Sequence, residues 1–275
     1  MIYLDNAATT KISPVAWRAM ERAMEESWAN PSSIHTPGRR AGDVLARARG
    51  VVFHTDGVQA AGHLPIDVAA QSIDMLALSG HKFHGPRGVG ALYVRRGVPL
   101  EPFVLGGAQE RGKRAGTENL PAVAGMAAAL EAACGTMAAD AARMTALRDR
   151  LTERLLAIPG CALNGDRARR LPGNVNVSFR GVEGETLLLL LDQRGIAVST
   201  GSACASGSLE PSHVLLALGK SREQAQGSIR LTLGEDTTAE DIHRAAEAVA
   251  ECVARLRSFG DGSGENGGKS SAGRM

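Results

Sequence analysis

Leu76-Ala77-Leu78-Ser79-Gly80-His81-Lys82-Phe83-His84-Gly85-Pro86-Arg87-Gly88 opens as an apolar strand and ends as a glycine-rich loop holding one lysine among hydroxyl and imidazole groups. Upstream, Val51-Val52-Phe53-His54-Thr55-Asp56-Gly57-Val58-Gln59 has the same build: a strand of buried type that delivers a carboxylate at its C-terminal end. Short apolar runs of this kind, alternating with helical patterns, specify an α/β chain with at least one partly parallel sheet. In such sheets ligands bind at the C-terminal ends of the strands. Working outward, strands are predicted at 51–55, 73–78, 91–94, 175–179, 196–199 and 228–233. Residues 122–158, rich in Ala, Leu, Met and Arg with apolar positions on one stripe, predict a long helix, or one broken near Gly135, that bridges two domains. Thr237 followed by Glu240 predicts a capping box before an amphipathic helix through Arg257, with Gly260 as its stop.

A chain of 275 residues that is 44% apolar can bury one large core or two modest ones. Its net charge of +2 comes from 31 basic and 29 acidic side chains without a like-charge block, so nucleic acid and membrane surfaces are not expected partners. Cys134, Cys161, Cys204 and Cys252 form no C-x-x-C pair, against a disulfide framework or structural zinc and in favour of a reducing, cytoplasmic setting. Cys134 and Cys252 fall on helical stripes and are predicted to pack in cores, whereas the pattern assigns no role to Cys161. The opening Met1-Ile2-Tyr3-Leu4-Asp5-Asn6 lacks a basic leader, and no apolar run is expected to reach the length of a membrane span. Residues 260–275 are too poor in apolar side chains to bury anything and read as a disordered tail.

Four side chains carry chemistry. Lys82, at a strand end among glycines, suits a Schiff base, although a solvated loop lysine is the commoner use of such a residue. Asp56 could hold the ring nitrogen of pyridoxal phosphate, whose protonated ring is an electron sink; a helix N-cap is its ordinary alternative. Cys204 sits in Ser199-Thr200-Gly201-Ser202-Ala203-Cys204-Ala205-Ser206-Gly207-Ser208, a small-residue loop that could present its thiol to a substrate or bury it as a small hydrophobe. Arg230 shares a strand face with Ser228 and Thr232, which fits a solvated edge strand or a guanidinium clamp for a carboxylate.

Together these stretches resemble the NifS/IscS-type cysteine desulfurases, members of the fold-type I, class-V aminotransferase superfamily. The resemblance is carried in order by Tyr3-Leu4-Asp5-Asn6-Ala7-Ala8-Thr9-Thr10, by Asn30-Pro31-Ser32-Ser33-Ile34-His35 and by the 79–82 loop. It continues through Arg114-Ala115-Gly116-Thr117-Glu118-Asn119, Gly201-Ser202-Ala203-Cys204 and Leu209-Glu210-Pro211-Ser212-His213. It implies a PLP-dependent transferase α/β fold: a truncated large domain with a mainly parallel sheet at 15–123, and a smaller α/β domain of 1–14 and 124–259 carrying Cys204. By the same resemblance Lys82 binds pyridoxal 5'-phosphate covalently, Asp56 pairs with its ring nitrogen, Gln59 contacts its ring hydroxyl, and Ser79 and His81 bind its phosphate. Thr117 would serve the phosphate site of the neighbouring subunit of a homodimer. Arg230 would hold the carboxylate of L-cysteine, and Asn30 would lie near the substrate, although a turn-forming Asn before proline accounts for it equally well. Cys204 would take the sulfur as a persulfide, releasing L-alanine, and pass it to an acceptor for iron-sulfur or thio-cofactor assembly. In relatives that persulfide also touches a 2Fe-2S centre on a scaffold partner.

The resemblance is interrupted between Gly50 and Val51, where the family carries on the order of a hundred more residues, the size of a small domain. That stretch supplies a Gly-Ala-Thr phosphate loop, a histidine stacked on the ring and an Asn near the ring oxygen, and neither His54 nor His63 stands in for the histidine. An internally shortened cofactor domain with exposed strand edges is the expectation. Two further readings stay open: another fold-type I enzyme, such as a selenocysteine lyase or an aminotransferase, and a cofactor-free partner of a sulfur acceptor or of a full-length desulfurase.

Overall fold

The computed structural model describes residues 18, 20–22, 24, 25, 50–200 and 211–261. They belong to two compact units, Met1–Met137 and Ala138–Met275.

In the first unit, β1 (His54–Asp56), β2 (Met75–Ser79) and β3 (Gly90–Val94) form a sheet in that order. β1 and β2 are parallel, with His54 opposite Met75 and Asp56 opposite Ala77, and β3 returns antiparallel to β2. β1 starts later than its β-branched run predicts. The Phe53 N–H goes to the Asp74 carboxylate (2.8 Å), and Val51 and Val52 are left exposed. That N–H and the Arg95 side chain hold the Asp74 carboxyl below its usual range. Residues 57–64 wind through tight turns, Ala61 N–H bonding Gly57 O and Leu64 N–H bonding Ala60 O at 2.9 Å each. This coil brings Ala61 onto Phe83 and Ala133 in a small core ringed by Leu78, Met126, Ala129 and Leu130.

Helix α1 (Leu120–Leu156) begins two residues ahead of the predicted start, where the Asn119 side chain accepts from Ala122 N–H (3.2 Å) and Pro121 needs no donor partner. It runs unbroken through Gly135, around which there is open space, so no packing demand bends it there. The boundary between the two units falls within this helix. Cys134 is exposed, correcting its predicted core position: neighbouring Ala133 occupies the buried face. The expectation about membrane spans also needs correction. By length and composition α1 could cross a membrane, with an 18-residue window of mean hydropathy 1.4 that is only 11% buried. Alanine supplies much of that value without forming a run of large apolar side chains.

In the second unit, β4 (Cys161–Leu163), β5 (Asn174–Phe179) and β6 (Ser228–Thr232) form an antiparallel sheet with β5 central. One face carries Val175, Val177, Phe179, Ile229 and Leu231, all buried. Against it pack Leu147, Leu151 and Leu155 of α1, Leu187 and Leu191 of α2 (Gly184–Asp192), and Ile242, Val249 and Val253 of α5 (Ala239–Asp261). Each such aliphatic side chain stabilises the fold by about 1.5–3 kcal/mol. Two short helices, α3 (His213–Ala217) and α4 (Arg222–Gln226), precede β6, and α4 starts with a capping box between Ser221 and Gln224. Arg170 ties the loop before β5 with three hydrogen bonds, to the carbonyls of Asp166, Asn164 and Asn174.

Three local expectations shift here. Among the described residues the predicted strand at 196–199 is reduced to one bridge, Ser199 with Arg230. The cap of α5 is Thr238 with Asp241, not Thr237 with Glu240: Thr238 Oγ1 accepts from Asp241 N–H (3.1 Å), and Asp241 accepts from Thr238 N–H (2.9 Å). Thr237 Oγ1 is engaged by Gly234 N–H instead. Gly260 does not stop the helix, which continues to Asp261; the rest of the predicted tail lies outside the described residues.

Candidate active site

Because β1 and β2 are parallel and in register, their C-terminal ends open on the same edge of the sheet. Asp56 closes β1, and Ser79 closes β2 and leads directly into a 3-10 turn, Gly80–Lys82. A carboxylate, a hydroxyl, an imidazole and a primary amine therefore gather at the edge where ligands of α/β sheets bind. Gln59 follows three residues after Asp56, in the coil beyond β1. Asp56, Gln59 and His81 are exposed, and Ser79 and Lys82 are half-buried.

The backbone around Lys82 is held from several sides. Gly80 is buried, its N–H bonds Val89 O (2.9 Å) and its carbonyl accepts from Gly85 N–H (2.9 Å). A Cβ at Gly80 would lie 3.1 Å from both Pro86 O and Val89 Cγ1, so a larger residue would crowd the turn. Phe83, one residue beyond Lys82, is 1% exposed. His63 Nε2 lies 3.2 Å from the Lys82 carbonyl oxygen, a contact across 19 residues. The Asp56 carboxylate accepts from Val58 N–H (2.9 Å), a local turn at the strand end with no helix after it to cap.

Thr117 is exposed in the loop before α1, beside Gly116, whose carbonyl accepts from the Arg114 side chain (2.8 Å). The same region bears large exposed apolar groups: Phe103 at 98%, Leu105 at 80% and Leu120 at 71%.

In the second unit β6 lies at the edge of the sheet, and its polar face grades from buried Ser228 through half-buried Arg230 to exposed Thr232. Ser228 is 1% exposed and Ser178 4%. Asn164 donates to Asn176 Oδ1 (2.7 Å) and Ser228 Oγ (3.1 Å), and Ser228 donates to Gln224 O (2.6 Å). Arg230 stands opposite Asn176 in the ladder. Its Nε is buried and has no hydrogen-bond partner among the described residues. A buried donor left open in this way costs about 1–3 kcal/mol, and an anionic acceptor would recover it. Cys161, unassigned from the sequence, lies half-buried on β4, where burial pushes its thiol up to about 11, against an opposing effect of Arg257. It is a poor nucleophile at neutral pH. Cys252 is buried, as its stripe predicts.

Cys204 and Asn30 lie outside the described residues. Among the described residues no three His, Cys, Asp or Glu side chains group as metal ligands. A cleft of about 650 Å³ lies at the other end of β1, lined by Val51, Phe53, Ile73, Tyr93 and Arg95 among others. None of the predicted site residues lines it. Sequence patterns did not reveal the His63 contact or the Asn164–Asn176–Ser228 network, since both join residues far apart in the chain and no spacing rule encodes them.

Residues 43–245 match the family described as Aminotransferase class-V. The chain is 53% identical over 215 residues to a cysteine desulfurase IscS of Methanosarcina thermophila, covering 78% of this chain and 53% of that protein. It thus spans about half the length of the curated relatives it matches. Among solved structures it is similar to a NifS-like protein, with a TM-score of 0.72 and 34% identity, over 80% of this chain and 57% of the other. It is also similar to SspA in complex with cysteine, with a TM-score of 0.56 and 33% identity, over 71% of this chain and 54% of that one. The fold shared with these proteins is the α/β fold-type I expected from the sequence.

Proposed function

The chain belongs to the class-V aminotransferase family, and from that premise we propose that it is a cysteine desulfurase, moving sulfur from L-cysteine to an acceptor and releasing L-alanine. Family membership implies pyridoxal phosphate. One observation carries the reading: the parallel register of β1 and β2, which puts Asp56 and the Ser79–Gly80–His81–Lys82 turn on one ligand-binding edge. The groups on that edge fit the cofactor chemically. Lys82 would bind its carbonyl carbon, Asp56 would face its ring nitrogen, Gln59 its ring hydroxyl, and Ser79 and His81 would donate to its phosphate. Bound there, pyridoxal phosphate supplies an electron sink for negative charge at the substrate α-carbon.

The remaining steps fall to side chains of this chain. Arg230 would hold the substrate carboxylate, a role supported by its buried Nε, which has no partner among the described residues. Asn30 would lie beside the substrate. Released as an amine, Lys82 would take the proton from the α-carbon and return protons to carbon later. The Cys204 thiolate would attack the substrate sulfur: the new S–S bond forms as the Cβ–S bond breaks, and the electron pair of that bond stays with carbon. Protonation of that carbon gives L-alanine, and Cys204 is left as a persulfide. From Cys204 the sulfur would pass to a scaffold or thio-cofactor acceptor, with transient contact to a 2Fe-2S centre, in a reducing cytoplasm that keeps the thiol free. The exposed Phe103, Leu105 and Leu120 near Thr117 support a homodimer in which Thr117 serves the partner's phosphate site.

Product analysis after incubation with L-cysteine, pyridoxal phosphate and a dithiol reductant, which releases persulfide sulfur as sulfide, tests the proposal. L-alanine with sulfide, lost in Cys204→Ala and Lys82→Ala, is the expected result. A keto acid formed equally well by Cys204→Ala would make the protein an aminotransferase instead.

A further inference from the structure

We propose that His63 is a positioning residue for Lys82, fixing the backbone from which the cofactor lysine projects. This deepens the functional reading above and rests on Lys82 being the cofactor lysine. The Lys82 carbonyl can only accept, so the ring nitrogen 3.2 Å from it must be the donor, and in the neutral ring the proton is thereby assigned to Nε2. That carbonyl belongs to the last residue of the 3-10 turn, where intrahelical partners run out and an outside donor is needed.

His63 is itself held for the task. Its own N–H bonds Ala60 O at 3.0 Å, within the coil that follows β1. Gly62, at φ +77, brings this coil so close that an added Cβ would lie 3.0 Å from Phe83 Cβ and 3.1 Å from Ala133 Cβ. Ala61 and Phe83 are 4% and 1% exposed in the same small core. Lys82 therefore stands between two buried residues, Gly80 and Phe83, with His63 bonded to its carbonyl. The coil also begins at Gly57, next to Asp56, so His63 links the lysine turn to the segment carrying the proposed ring-nitrogen partner. A shift of this segment would move both ends of the cofactor site together.

The test uses the full chain and pyridoxal phosphate alone as probe. Affinity is read by visible absorbance titration, the site of attachment by borohydride reduction and peptide mass analysis, and fold by the melting temperature of the cofactor-free protein. A lost neutral hydrogen bond at the turn predicts about fivefold weaker binding in His63→Ala. His63→Gln, which keeps an N–H donor at similar reach, should recover most of it, with cofactor-free melting close to wild type in both. Unchanged affinity in His63→Ala overturns the proposal, as does a loss that His63→Gln fails to restore. Should His63→Ala not fold, the Gln variant decides alone: wild-type affinity supports the donor role and lowered affinity overturns it. Attachment found on a residue other than Lys82 in the wild-type protein would sink the functional reading itself, whatever the His63 variants do.

Discussion

At the scale of single residues, Arg230 is the clearest sign that this sheet face awaits an anion. Its buried Nε lacks a partner among the described residues, which burdens the unliganded fold, while a bound carboxylate would accept two or more charge-assisted hydrogen bonds. Arg230→Leu should therefore melt no lower than wild type without substrate, yet raise KM for L-cysteine roughly ten- to hundredfold. Steady-state kinetics beside a cofactor-free melting curve check both halves; a large loss of stability with unchanged KM would count against the clamp. Cys161 makes a contrasting case. Burial raises its thiol from 9.0 to about 11, so the unfolded chain ionises first as pH rises. Its contribution is complete below pH 9 and is lost as pH climbs toward 11. Denaturation between these limits should show a falling stability that Cys161→Ala flattens. Alkylation of the Cys161 peptide, followed by mass spectrometry, should accelerate only near the upper limit.

At the scale of elements, helix ends show how fine the local code is. Thr237-Thr238-Ala239-Glu240-Asp241 contains two overlapping capping patterns, and both satisfy the sequence rule. Thr237 is committed elsewhere: its hydroxyl accepts from Gly234 N–H and its carbonyl from the Arg143 side chain, which moves the cap one residue on. The Asp241 carboxyl, held below its ordinary 3.8 by the Thr238 hydroxyl and then by the Thr238 N–H, contributes to stability above that pH. The contribution is lost as pH falls through its lowered value. Thr238→Ala should lower the melting temperature at pH 7, with Thr238→Ser close to wild type, and the gap between them should narrow in acid. Strands followed the same logic. The 175–179 and 228–233 runs were legible because alternate residues meet one apolar core, whereas 196–199 has the same propensity and found only a single bridging site.

For the whole molecule, Phe103 and Leu105 stand almost fully exposed with Leu120 in the unit that carries Lys82, a pattern that marks an interaction surface. A Phe103→Asp, Leu105→Asp double variant should sediment as a monomer where the wild-type chain sediments as a dimer, and should bind pyridoxal phosphate less tightly through loss of the partner's Thr117. Analytical ultracentrifugation decides this, and a wild-type monomer would refute the homodimer. The α/β class, the long helix and the strand leading to Lys82 were determined by the sequence alone, which also nominated the candidate cofactor residues. Each is written in contiguous residues, as periodicity or as a short motif at a strand end. Only the tertiary structure decided which threonine caps α5, that Cys134 faces solvent, that the Arg230 Nε is buried, and that His63 reaches the Lys82 carbonyl. The His63 contact spans 19 residues and the Arg143 bond to the Thr237 carbonyl spans 94, and the energy of such contacts is set by which surfaces meet, a quantity absent from any local stretch of chain.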